Sequence, residues 1–212
     1  KNKVCMIPMY FDDGVNGKHP VTTIVGYGFT GTYFETLYLP SSITTLETGA
    51  FSQCFRMNHV YMPDSITAFN SYTFSRCSYL TDIRLPKTLT KISDNTFDRC
   101  SALVDIQLPD SLASMGSSTF VNCAKLEHCN CPKSLKKLGG STFYYCNSML
   151  SYKVGTNITD MGYHSFRDCD NVESIEYEGT VEQWNKINNR QYFLSGCPKL
   201  TTVHCLDGDI TL

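Results

Sequence analysis

The chain has 212 residues, 42% of them hydrophobic and 12% aromatic, with 18 Lys+Arg against 20 Asp+Glu for a formal net charge of -2. This composition supplies a packed core and excludes a disordered chain. The near-balanced charge leaves no cationic excess for phosphates or an anionic bilayer, so nucleic acid and membrane surfaces are set aside as partners. No apolar run reaches the roughly 20 residues of a spanning helix, and the first residues lack the pattern of a signal peptide. The chain is therefore expected to be soluble, with no direct membrane insertion.

In chain order, the first unit is irregular. Val4, Ile7 and Pro8 resemble the end of a strand, and an insertion through Asp12, Asp13, Gly14 and Gly17 follows. Val21, Ile24, Phe29, Phe34, Leu37 and Leu39 then form a degenerate copy of what comes next. From residue 40 to residue 177 six units repeat with a step of 23 residues. Pro40, Pro63, Pro86, Pro109 and Pro132 open them, with Gly155 in the sixth slot. Apolar columns run down the repeat, through Ile43, Ile66, Leu89, Leu112, Leu135 and Ile158, then Leu46, Phe69, Ile92, Met115, Leu138 and Met161.

Each unit next carries a phenylalanine and, three residues on, a cysteine: Phe51 and Cys54, Phe74 and Cys77, Phe97 and Cys100, Phe120 and Cys123, Phe143 and Cys146, Phe166 and Cys169. A period in the twenties marks a solenoid, whose units bury their apolar faces only by stacking. The stretch Thr73 to Cys77 is expected to form one helical turn carrying Phe74 inward. After the cysteine comes L-x-x-I-x-L-P, as in Leu80, Ile83, Leu85 and Pro86. Its apolar-polar-apolar end alternates like a strand with one buried face, and the proline closes it. A continuous parallel sheet along one wall follows, with short strands on the opposite wall. The last unit keeps the columns through Val181, Trp184, Leu194, Cys197, Leu200 and Val203 after a five-residue insertion near Asn188 to Tyr192.

The segment Leu80 to Pro86, with Phe97, Cys100 and Leu103, resembles the BspA-like leucine-rich repeats, of the form L-P-x-S-[IL]-T-x-I-x-x-x-x-F-x-x-C-x-x-L-x-x-I-x. Tyr177 to Thr180 and Gln183 to Lys186 resemble the end of bacterial members, and the motif covers roughly residues 18 to 206. The resemblance implies an α/β solenoid dominated by β-structure: a right-handed superhelix with a parallel sheet on one wall and short strands or helical turns on the other. It also implies a bacterial-type protein, extracellular or at the cell surface, that binds host or cell-surface proteins or glycans. One domain is expected over 1–212, with an N-terminal cap and degenerate repeat at 1–39, regular repeats at 40–177, and a divergent repeat and cap at 178–212.

Inward columns are uniform; outward positions vary. One outward row runs through Tyr38, Tyr61, Arg84, Gln107, Asn130, Lys153 and Glu176, and its neighbour through His59, Asp82, Asp105 and His128. A rigid scaffold beside a varied surface is expected to be a binding face. The expected function is a non-enzymatic adhesion or recognition module. A spacer with no ligand of its own, and a carbohydrate-binding module using Tyr38 and Tyr61, remain open.

Chemistry is expected elsewhere than in this chain. Ser42, Ser65, Ser111 and Ser134 share a turn slot, and the five histidines are dispersed. His128, Cys129 and Cys131 lack zinc spacing, because Cys129 and Cys131 fill the inward columns of Ile106 and Leu108. No cofactor or metal is expected. The cysteine column, Cys197 included, is read as buried free thiols, with a bridge at Cys5 or Cys205 left open.

Overall fold

The computed structural model describes residues 3–193 and 196–212. Its strands, in chain order, are β1 (Val4–Met6), β2 (Tyr10–Asp12), β3 (Lys18–Pro20), β4 (Thr23–Ile24), β5 (Thr36–Tyr38), β6 (Thr45–Leu46), β7 (His59–Tyr61), β8 (Ala68–Phe69) and β9 (Asp82–Arg84). They continue as β10 (Lys91–Ile92), β11 (Asp105–Ile106), β12 (Ser114–Met115), β13 (His128–Cys129), β14 (Ser151–Val154), β15 (Ser174–Tyr177), β16 (Thr202–Cys205) and β17 (Gly208–Thr211). Among the described residues one helix occurs, α1 (Val181–Trp184). The molecule is therefore a β-solenoid.

Strands of equivalent units pair in parallel and in register. Leu37 faces Val60 and Val60 faces Ile83 on the first wall, while Phe69 faces Ile92 and Ile92 faces Met115 on the second. In β5, β7 and β9 the middle residue is buried and its neighbours face outward, as the pleat requires. The first wall is not the continuous sheet that the repeat predicts. It divides into β1-β5-β7-β9, β11-β13 and β14-β15-β16-β17. Near the second break the inward column changes from Cys129 to the fully buried ring of Tyr152, which sits between Phe143 and Phe166 at 5.1 and 5.2 Å. The large ring lies where its neighbour in the column is small, so total volume is kept.

The third wall corrects the expected helical turn. Tyr72 and Arg76 have φ of 62° and 61°, and the same two columns are left-handed at Asn95 and Arg99, Ser118 and Asn122, Ser141 and Tyr145, and His164 and Asp168. Between them the N–H groups alternate. Ser75 and Cys77 bond back to the carbonyls of Tyr72 and Phe74, whereas Tyr72, Phe74 and Arg76 donate forward to Asp94, Thr96 and Asp98 of the next unit. A helix would keep all these donors to itself. Sharing them ties each unit to its successor, which is what an incomplete repeat needs.

This wall carries the core ladder. The rings from Phe51 to Phe166 stack face to face at centroid separations of 5.1–5.8 Å. Each thiol of the cysteine column points to the carbonyl of the phenylalanine one unit back, at 3.2 Å from Cys77 to Phe51 and from Cys100 to Phe74. The pattern runs on to Cys197 and Phe166. A buried donor reaching that carbonyl explains why cysteine, and not alanine, fills the column. In the structure all eleven cysteines are free thiols, Cys5 and Cys205 included.

The ends differ from the middle. The N-terminal insertion is an antiparallel hairpin, β2-β3. At the other end β17 runs antiparallel to β16 and covers its edge with the chain's own backbone. The Thr180 hydroxyl and the Gln183 side chain cap α1 reciprocally, and buried Trp184 packs edge-on to Tyr177 and Phe193. Leu194, expected in the phenylalanine column, lies outside the described residues. Its neighbour Phe193 is buried, and its carbonyl accepts from Phe166 N–H.

Candidate functional site

The strands of the first wall hold the outward rows side by side, and the interruptions sort them into groups. At the N-terminal end Tyr38 and Tyr61 stack at 4.6 Å with an interplanar angle of 5°, and they remain 40% and 46% exposed. His59 Nδ1 lies 3.4 Å from Asp82 Oδ2. Asp82, Arg84, Asp105 and Gln107 line a depression of about 460 Å³ over the first break in the sheet. The structure thus brings seven of the expected residues into one patch with aromatic, cationic, anionic and amide groups.

Asn130 departs from the expectation. Its Nδ2 donates to the Leu108 carbonyl and its Oδ1 accepts from Leu108 N–H, at 2.8 and 2.7 Å. Three units earlier the equivalent bond runs from Leu39 N–H to the Tyr61 backbone carbonyl. The half-buried amide stands in for a strand, which leaves β13 two residues long and removes Asn130 from the displayed row. His128 is exposed beside Glu127.

Lys153 and Glu176 belong to a separate group past the second break. With Tyr177, Glu178, His204 and Leu206 they line a depression of about 620 Å³. Lys153 Nζ sits 2.8 Å from Glu178 Oε1, and that carboxylate holds the ammonium above its ordinary range. His204 Nδ1 is 2.9 Å from Asp209 Oδ1 on the capping strand. Glu178 and Leu206 lie outside the regular strand columns, which is why sequence periodicity does not find them.

The buried groups are suited to packing. Burial pushes the Cys77, Cys100 and Cys146 thiols well up and Cys169 up to about 12, so they stay protonated and are poor nucleophiles. Among the described residues no group of three His, Cys, Asp or Glu side chains is placed to hold a metal. The thiols set an alkaline limit. An unfolded thiol titrates near 9.0 and the folded one higher, so their stabilisation is complete below about pH 9 and is lost as pH rises toward 12. Urea midpoints are expected to hold from pH 7 to 8.5 and fall by pH 10.5, less steeply in Cys169→Ala. A midpoint unchanged at pH 10.5 would contradict the burial.

A family model described as "BspA type Leucine rich repeat region" matches residues 15–102 and 70–201 in six copies. No curated protein matches the chain by sequence. Among solved structures, a leucine-rich repeat protein from Bacteroides ovatus is similar, with a TM-score of 0.69 at 22% identity over 97% of this chain and 69% of that one. The T. pallidum leucine-rich repeat protein follows with 0.64 at 21% identity over 94% and 78%. The pneumococcal vaccine antigen PcpA has 0.60 at 18% identity over 84% and 55%. These likenesses establish the fold. Among the described residues no helix is long and apolar enough to cross a membrane.

Proposed function

From the premise that this chain belongs to the BspA-type leucine-rich-repeat family, we propose that it is a non-enzymatic recognition module of a bacterial surface or secreted protein. It binds a macromolecular partner through the N-terminal part of its sheet wall. The carrying observation is the stacked, exposed pair Tyr38 and Tyr61 beside His59, Asp82, Arg84 and Gln107. Rigid aromatic rings next to a guanidinium are the composition of interface anchors, because they bury large area at small entropic cost. Inter-unit backbone bonds hold the scaffold beneath them, so little ordering is left for association. The right-handed superhelical path and the operation of residues 1–212 as one domain are part of the same reading.

A partner protein from the surface of another cell is favoured over a bare spacer, since a spacer needs no depression flanked by stacked rings. The test is the triple variant Tyr61→Ala, Arg84→Ala, Gln107→Ala, assayed by surface plasmon resonance against host extracellular-matrix and cell-surface proteins. It is expected to weaken binding at least about 100-fold, each anchor contributing on the order of 1–2 kcal/mol, with the unfolding midpoint nearly unchanged. Unaltered affinity would reject this face, and no binding of the parent chain to any such protein would favour the spacer.

A further inference from the structure

The turn wall of the N-terminal half carries rings that the fold does not require. Tyr27, Tyr33, Phe55, Tyr72 and Tyr79 are 40–65% exposed. The column of Phe55 continues as Ser78, Ser101 and Ala124, and that of Tyr79 as Ala102 and Lys125. Those later units keep the same inter-unit bonds. The rings are therefore not needed to shield the backbone, and a patch of them on one region calls for another account.

Three adjoining depressions run between these rings. In the first, of about 440 Å³, Tyr33, Phe55 and Tyr79 surround Glu35, Arg56 and Asn58, whose Oδ1 is buried without a hydrogen-bond partner. The second, of about 460 Å³, shares Phe55 and adds Arg76 and Arg99. The third, of about 260 Å³, shares Arg76 and adds Tyr27, Tyr72 and Asp98. The Tyr27 ring lies directly over Gly49, where a Cβ would come within 2.3 Å of it. Asp98 is held by Ser75 and Arg99, at 3.3 and 3.8 Å. Arg56 and Arg76 form no salt bridge among the described residues.

We propose that this groove binds an acidic oligosaccharide, a chain of pyranose rings bearing carboxylate or sulfate groups. A pyranose presents a flat face of C–H groups that packs on an aromatic ring, and its acidic substituent matches the two-pronged guanidinium fork. Successive rings and arginines along one groove match successive sugars. An acidic peptide lacks that flat face at each residue, and its usual mode of docking, strand addition, needs a free sheet edge that the turn wall does not offer. At Glu35 and Asn58 the groove adjoins the start of β5 and β7, but its rings and arginines lie off the sheet face, and the proposal does not rest on the sheet-wall reading.

The full chain is titrated by calorimetry with an oligogalacturonate, a heparin-derived octasaccharide, a methyl-esterified oligogalacturonate and poly-glutamate. The first two separate carboxylate from sulfate. One or both are expected to bind, and the esterified sugar and the peptide to bind about tenfold or more weakly. Tyr79→Ala and Arg76→Gln are each expected to weaken binding about tenfold, and Arg76→Gln also to flatten its salt dependence. Both should keep the parent's unfolding midpoint, since Ala102 already occupies the column of Tyr79. Tyr61→Ala, on the other wall, should bind as the parent does. The proposal is overturned if neither acidic glycan binds at millimolar concentration, if poly-glutamate or the esterified sugar binds equally well, or if Tyr79→Ala and Arg76→Gln match the parent.

Discussion

Replacing Phe97 by alanine is expected to lower the unfolding free energy by about 3–5 kcal/mol, the usual cost of removing a fully buried ring from a close-packed core. Phe97 is 0% exposed, stacks on Phe74 at 5.6 Å and on Phe120 at 5.4 Å, and meets Phe69 edge-on at 6.2 Å. In a chain of this size that loss lowers the thermal midpoint by roughly 6–20 °C. A solenoid makes the position matter as well as the residue. Each unit touches only its neighbours, so a hole at the centre weakens two interfaces at once and separates the two halves of the stack. The same change at Phe193, which contacts Phe166 and Trp184 near the end, should cost less and fray only the last unit. Thermal melts followed by far-UV circular dichroism compare the two. A midpoint shift below about 3 °C for Phe97→Ala would mean that the stacked rings are not what couples the units.

The period made that ladder legible. Six phenylalanines and six cysteines at a constant step could be placed on one inward line before any coordinates, because stacking leaves only one way to bury a repeated apolar residue. The strand columns ending in Leu85 and Leu108 were legible for the same reason, since alternation decides which side faces in. The conformation between strands was not. Left-handed backbone falls at Tyr72, Arg76 and Arg99 as well as at Asn95 and Gly49, so no glycine signal separates these turns from a helical turn. Nor does composition reveal that a thiol will reach a carbonyl 26 residues back. Asn130 reads as one more polar residue on an outward row, and only the geometry shows its amide bonded to Leu108. The candidate face was thus legible as rows. Its division into an N-terminal patch and a C-terminal depression depends on two breaks in backbone pairing that side-chain type does not encode.

Gly139→Ala is the second large effect, and it probes the backbone alone. Gly116, Gly139 and Gly162 stand 23 residues apart in one column, where the earlier units carry Asn70 and Ser93. A Cβ on Gly139 would lie 2.1 Å from the carbonyl oxygen and 2.4 Å from the carbonyl carbon of Gly116. Neither atom can rotate aside, because both belong to the chain of the preceding unit, so the added methyl must push two stacked units apart. The expected cost is about 3 kcal/mol, the upper end for overpacking, or roughly 6–12 °C in midpoint. Gly140 supplies the control in the adjacent residue. A Cβ there meets nothing closer than the Tyr163 carbonyl at 3.5 Å, an ordinary contact. Gly140→Ala should leave the midpoint unchanged or raise it by a degree or two, since alanine restricts the unfolded chain. Two neighbouring glycines changed identically, with opposite outcomes, separate close approach of the units from any general effect of adding a methyl group. Equal midpoints for the two variants would show that the units sit farther apart at Gly139 than described.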